Sequence, residues 1–228
     1  MSSPTVILHD SVKDALAELW FAEPAGFTAL PLDALLPEPG SPAAEELRST
    51  VAPFLAAAPN ELARQKFITD FAAVQQLLCA LREVGTVHCS VGLHSDDADA
   101  AGPKNGQPLL SWFTISWRDV AVAPRGVLAA RAVTSSEPRT DIEYRELPCG
   151  PATFSESVMA VPTQGDLPRQ PLSQFHAYLP QPDCRRLAVL ALSTTRGAAH
   201  REQYRAIVRQ IAATVSFENP LPDVSDEE

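Results

Sequence analysis

No uninterrupted apolar run in these 228 residues approaches the roughly 18–20 that a membrane-spanning helix needs, so the sequence predicts no such span. The opening MSSPTVILHDSVKD has neither a basic start nor a long apolar segment, which reads as an unprocessed cytoplasmic chain. Basic residues are scarce: 18 Lys and Arg stand against 28 Asp and Glu, for a formal charge of -10. Phosphate is repelled by such a surface unless the cations are gathered on one face, and Arg185, Arg186 and the arginines near the C-terminus are interleaved with acids or apolar residues. A general nucleic-acid binder is therefore not expected. Four cysteines, at positions 79, 89, 149 and 184, form no CxxC pair, which leaves neither a zinc knuckle nor a thioredoxin-type motif. Free thiols follow from a cytoplasmic address, and Cys79, in an apolar helical run, reads as a small core residue. There is no GxSxG elbow, GxxxxGK loop, GxGxxG turn or HExxH helix. No catalytic residue, cofactor or metal ligand is assigned on motif grounds, and no repeat of about 20–50 residues is present.

What is present is a fold pattern, clearest between Leu172 and Phe217. In LSQFHAYLP, Phe175, Ala177 and Leu179 alternate to one side, a break follows at Pro180–Asp183, and the apolar run resumes from Leu187 to Leu192. That is a hairpin of two strands. The period then changes, with Tyr204, Ile207, Val208, Ile211 and Val215 recurring at three- and four-residue steps as one helical stripe. A hairpin and a helix that each carry one apolar face bury them against each other.

Earlier segments supply the rest. Val6–Leu8 reads as a strand, 11–21 as a short helix, and GFTALPLDALL as an edge or covering piece whose prolines bar a central position. Ser41-Pro42 opens a helix that Pro53 and Pro59 should limit to two or three turns. Asn60 opens the longest helix, to about Val84, where Gly85 stops it; Phe67, Ile68, Phe71, Val74, Leu78 and Leu81 give it a wide apolar face. Strands follow at VHCSVGLH and Leu109–Trp117, a short helix within 123–136, and two more strands around Pro148–Pro151. The fold class is α+β: a mostly antiparallel sheet of about six strands, the C-terminal helix on one face, and the N-terminal helical part covering the other. We expect a single domain over 1–220, helical over 1–84 and sheet plus last helix over 85–218, then an acidic tail at 219–228.

The GFTALPLDAL entry, the YLPQPDCRRLAVLALSTT hairpin and the REQYRAIVRQIAATVSF helix together resemble the Mog/PsbP-like fold. The likeness is one of pattern, over residues 85–218 and part of 20–36. The preference for alanine, proline and arginine over lysine and isoleucine is similar to that of proteins from high-GC actinomycetes. The resemblance implies a non-enzymatic binding or accessory protein and supplies no catalytic residue.

The most suggestive local string is HCSVGLHSDDAD. His88 and His94 on one strand lie roughly 20 Å apart and cannot share an ion, so a site needs His94 with Asp96 or Asp97 beyond a bend. Asp97, Asp99 and Gly102 imitate part of a calcium loop, but Ala101 and Pro108 stand where oxygen ligands are required. Cys149, in a Pro-Cys-Gly turn, would need a base brought to it by the fold. His176, facing away from Phe175 and Ala177, reads as a surface or hydrogen-bonded histidine able to titrate near neutrality. Phe113, Ile115 and Trp117 fall on one face of their strand, Leu110, Trp112 and Thr114 on the other. Leu110, Trp112 and Trp117 are thus the candidate interface, for another protein or a second copy of this one. The competing expectation is an enzyme or small-molecule binder with its site near His94, Asp96 and Cys149.

Overall fold

The computed structural model describes residues 6–8, 17–94, 109–134, 139–160, 171–195, 197–198 and 200–220. In chain order the elements are β1 (Val6–Leu8), β2 (Ala22–Pro24), β3 (Phe27–Ala29), α1 (Leu32–Leu35), α2 (Pro42–Ala56), α3 (Glu61–Glu83), β4 (Thr86–His94) and β5 (Leu109–Asp119). They continue with α4 (Arg125–Arg131), β6 (Thr140–Leu147), β7 (Gly150–Ala160), β8 (Pro171–Pro180), β9 (Arg186–Thr194) and α5 (Arg201–Thr214). Among the described residues, seven strands form one antiparallel sheet in the order β3-β4-β5-β9-β8-β7-β6, and β1 pairs with β2 in a separate ribbon. The α+β class, the antiparallel sheet and the C-terminal helix on it are as the sequence pattern requires.

Alternation sorts the central strands into two faces. Phe113 and Ile115 of β5, Phe154 of β7, Phe175 and Leu179 of β8, and Leu190 and Leu192 of β9 share one buried cluster with Tyr204, Val208 and Ile211 of α5. Each such side chain, fully buried, contributes about 1.5–3 kcal/mol. A polar seam fixes the helix laterally. Arg201, Arg205 and Arg209 recur at four-residue steps along one flank of α5 and meet Asp141, Glu143 and Glu156 of β6 and β7. Glu156 is only 8% exposed; Arg201 Nε donates to its Oε2 at 2.5 Å and Arg205 Nε to its Oε1 at 2.7 Å. Two guanidinium groups thus compensate a carboxylate that burial alone would penalise.

The second face is covered in two parts. Ala132, just past α4, packs with Tyr178, Leu187 and Val189 over the β8–β9 end. The N-terminal helices α1 and α3 reach the sheet at β4. Leu78 is the one buried residue of α3, and α2 has none among its described side chains. Cys79 is accordingly exposed rather than a core residue. Two boundaries also move. Of the helix expected over 11–21, residues 11–16 lie outside the described residues and 17–21 are not helical: Trp20 bridges to Ser216 and the chain runs into β2. Pro53 does not end α2, which runs 15 residues with that proline in its last turn. Near a helix end, a missing N–H and a displaced carbonyl cost little that water cannot restore.

The expected caps are in place: the Ser41 side chain accepts from Ala44 N and Asn60 Oδ1 from Ala63 N. Gly85, at φ +83, turns α3 into β4, and a Cβ built on it would lie 2.5 Å from the Trp117 carbonyl oxygen. Only glycine satisfies both the left-handed backbone and that approach. Gly85→Ala is expected to lower unfolding stability by about 2 kcal/mol or more, read as a lowered denaturant midpoint at unchanged slope.

Candidate functional site

Three places concentrate chemistry or unsatisfied surface. The first is a carboxylate buried where the β1–β2 ribbon meets β4. Glu23 on β2 is 6% exposed, and its Oε1 lies 2.9 Å from His88 Nε2 and accepts from Ser90 Oγ at 2.5 Å. His88 and Ser90 share a face because they are two residues apart on β4. The His88 ring packs edge-on against Phe21 at 4.9 Å and beside Phe113 at 5.9 Å. A histidine, a serine and an acid meet here, with His88 Nε2 and Ser90 Oγ both on the same carboxylate oxygen. The shared oxygen bonds the ribbon to the sheet. Cys89, facing the other way on the same strand, has its thiol pushed up to about 12 by burial and by the Glu23 charge, and is no nucleophile at neutral pH. Glu23 escaped the sequence reading; the usable signal was a single acid inside the apolar stretch LWFAEPAGF.

The second place surrounds His176, which is buried rather than superficial. Arg139 Nη1 donates to Ser155 Oγ at 3.2 Å and lies 3.4 Å from His176 Nδ1, while the guanidinium sits 5.2 Å above the Tyr178 ring. Burial foremost, then the Arg139 and Arg118 charges, lowers the His176 pKa to about 3. Titration near neutrality is therefore corrected: the imidazole stays neutral across the physiological range.

The described parts of the remaining sequence candidates lie apart. Asp96, Asp97, Asp99 and Gly102 lie outside the described residues, as does the side chain of His94. The His94 backbone pairs with Leu109 at one end of β4, whereas Cys149 occupies the β6–β7 turn at the end that carries Asp119 and Arg186. Four to five strand spacings also separate them along the sheet, about 20–24 Å. Burial holds the Cys149 thiol above its usual range despite the Arg125 charge. Arg125 Nη2 instead donates to the Cys149 carbonyl at 2.5 Å and to the Pro180 carbonyl at 2.8 Å, tying two turns together. Among the interface candidates, Trp117 lies on the α5 side, half-buried against Phe217 at 6.2 Å with Arg186 4.7 Å above its ring. Trp112 is half-buried on the opposite face, where Leu110 pairs with Leu93 through its backbone and has its side chain outside the described set.

The third place is a groove of about 660 Å³ between α2 and α3. Ala44, Leu47, Val51 and Leu55 recur at three- and four-residue steps on α2 and form one wall; Phe67 and Phe71 begin the other. Those two rings are parallel within 7°, their centroids 6.2 Å apart. Ile68, Ala72 and Cys79 stand toward the opening, with Ile68 50% exposed. The polar groups lining it are engaged: Gln75 Nε2 donates to the Leu35 carbonyl at 3.0 Å, and Arg48 pairs with Glu45 on its own helix. Such a wall recognises apolar side chains and offers nothing to orient a polar substrate. The sequence displayed these apolar stripes, but their period alone leaves open whether the chain's own sheet or something else covers them.

The neutral His176 dictates a pH response. An unfolded histidine takes up a proton below about 6.5, whereas the folded one resists until about 3. The unfolded state then binds more protons, so stability is full above pH 6.5 and falls as the pH drops below it. Between pH 6.5 and 5 the slope should approach 1.4 kcal/mol per unit, roughly. Urea unfolding of wild type and His176→Gln across that window measures it, and the slope should be smaller in the variant. Compared with known family models, curated proteins and solved structures, the chain matches none.

Proposed function

We propose that this chain is a non-enzymatic, cytoplasmic binding or accessory protein that works through protein–protein contact, and that the α2–α3 groove is its contact surface. One observation carries the reading: of the described apolar side chains on the 23-residue α3 and the 15-residue α2, Leu78 alone is buried by the chain. Leu62, Ile68, Val74 and Leu77 are 77%, 50%, 43% and 49% exposed. Helices in proteins owe most of their stability to the packing of an apolar face, and an apolar groove left open, here with Ile68 at its lining, marks an interaction site. The groove mode, in which an amphipathic helix lays its apolar ridge between two others, is the matching form of recognition. The Mog/PsbP-like likeness read from the sequence implies the same accessory role. The alternative site near His94, Asp96 and Cys149 draws no support from the separation of its described parts.

A photo-crosslinking residue in place of Ile68, installed in the cells that make this chain, tests the assignment against the same residue in place of Thr69 on α3. Protein adducts at position 68 and none at 69 are expected. Equal labelling at both, or none at 68, would overturn the groove as a contact surface.

A further inference from the structure

Resting on the groove as contact surface, we propose that its occupant is a second copy of this chain, the two α2–α3 pairs meeting about a two-fold axis as a four-helix bundle. The first argument is the circumference of α3. At 100° per residue its apolar positions run from Leu77 through Val74, Leu78 and Phe71 to Ile68 and Ala72, an arc of about 220°. Leu78 alone among them is buried. The groove calls for a helix whose apolar residues recur at three- and four-residue steps over several turns; α3 is such a helix and is present in every copy.

The second argument is charge. The chain carries -10 overall, yet residues 41–84 hold five acids (Glu45, Glu46, Glu61, Asp70, Glu83) and four bases (Arg48, Arg64, Lys66, Arg82), a net of -1. Arg48 pairs with Glu45, Arg64 with Glu61, Lys66 with Asp70 and Arg82 with Asp33, all within the chain. This rim gives a strongly charged foreign partner little to meet. Two copies can bring it together without opposing the charge that repels them elsewhere.

The third argument is area. Helices of 15 and 23 residues are about 22 and 34 Å long, and a side-by-side pair is roughly 20 Å wide. Their face covers on the order of 600 Å² per copy before corrugation is counted, close to the roughly 800 Å² per partner of a standard interface.

Sedimentation velocity of the full chain at about 5 and about 100 μM tests the proposal. The expected result is a species of twice 24.5 kDa whose share rises with concentration. Ile68→Glu and, on the facing wall, Val51→Glu should each return the monomer at both concentrations with the unfolding midpoint of the sheet unchanged. Because a charge can also unravel the helix that bears it, the unmutated chain provides an independent reading. Alkylation of exposed Cys79 at the groove opening should slow several-fold between the two concentrations, while that of Cys184, in the β8–β9 turn, stays constant. A wild type that sediments at 24.5 kDa throughout, a dimer that survives both variants, or equal Cys79 rates would overturn the self-pairing. Crosslinks from position 68 to a different protein would in that event leave the groove reading intact.

Discussion

The fit of α5 against one sheet face is the interaction on which the rest of the body depends. Tyr204, Val208, Ile211 and Ala212 seal residues from β5, β7, β8 and β9 in one move, while the arginines on its flank neutralise the buried Glu156. The helix also reaches backward to the other end of the chain. Thr214 Oγ1 accepts from Ala22 N at 2.9 Å, Trp20 exchanges backbone hydrogen bonds with Ser216, and Phe217 covers Trp117. Through those contacts the β1–β2 ribbon is held where Glu23 can meet His88 and Ser90. Loosening α5 would therefore expose the apolar face of the sheet and free the ribbon together, which makes these parts one cooperative unit.

How much of this could be read from the residues differs by region for a physical reason. The hairpin of β8 and β9 and the stripe on α5 were legible because burial on one face writes a period of two or 3.6 directly into the sequence. The caps Ser41 and Asn60 and the stop at Gly85 were legible because local backbone chemistry demands those residue types. The region 17–24 was not: Leu19, Trp20 and Phe21 are apolar in succession, and their strand-like course is imposed by pairing with Ser216, almost two hundred residues away. The same limit hid the Glu23 network, whose members lie 65 and 67 positions apart. His176 misled because alternation says which face a residue takes and is silent on whether that face is also covered.

The α2–α3 pair breaks the rule that governs the body. Elsewhere each apolar stripe finds a surface within the chain; here the stripes line an open groove, with Leu36 and Pro37 beside them, and α3 meets the sheet at β4. Natural sequences are locally and globally consistent except where function asks otherwise. A pair of well-capped helices with engaged rim charges and an uncovered apolar interior is such an exception. The molecule divides into a sheet-and-helix body and a helical pair whose open groove we propose is completed from outside.

Backbone hydrogen exchange, followed by mass spectrometry at low and high chain concentration, tests that division most directly. Amides of α5 and the central strands should be equally protected at both, whereas those of α2 and of α3 before Leu78 should gain protection as concentration rises. Protection in α2 and α3 that equals that of the body and ignores concentration would contradict it.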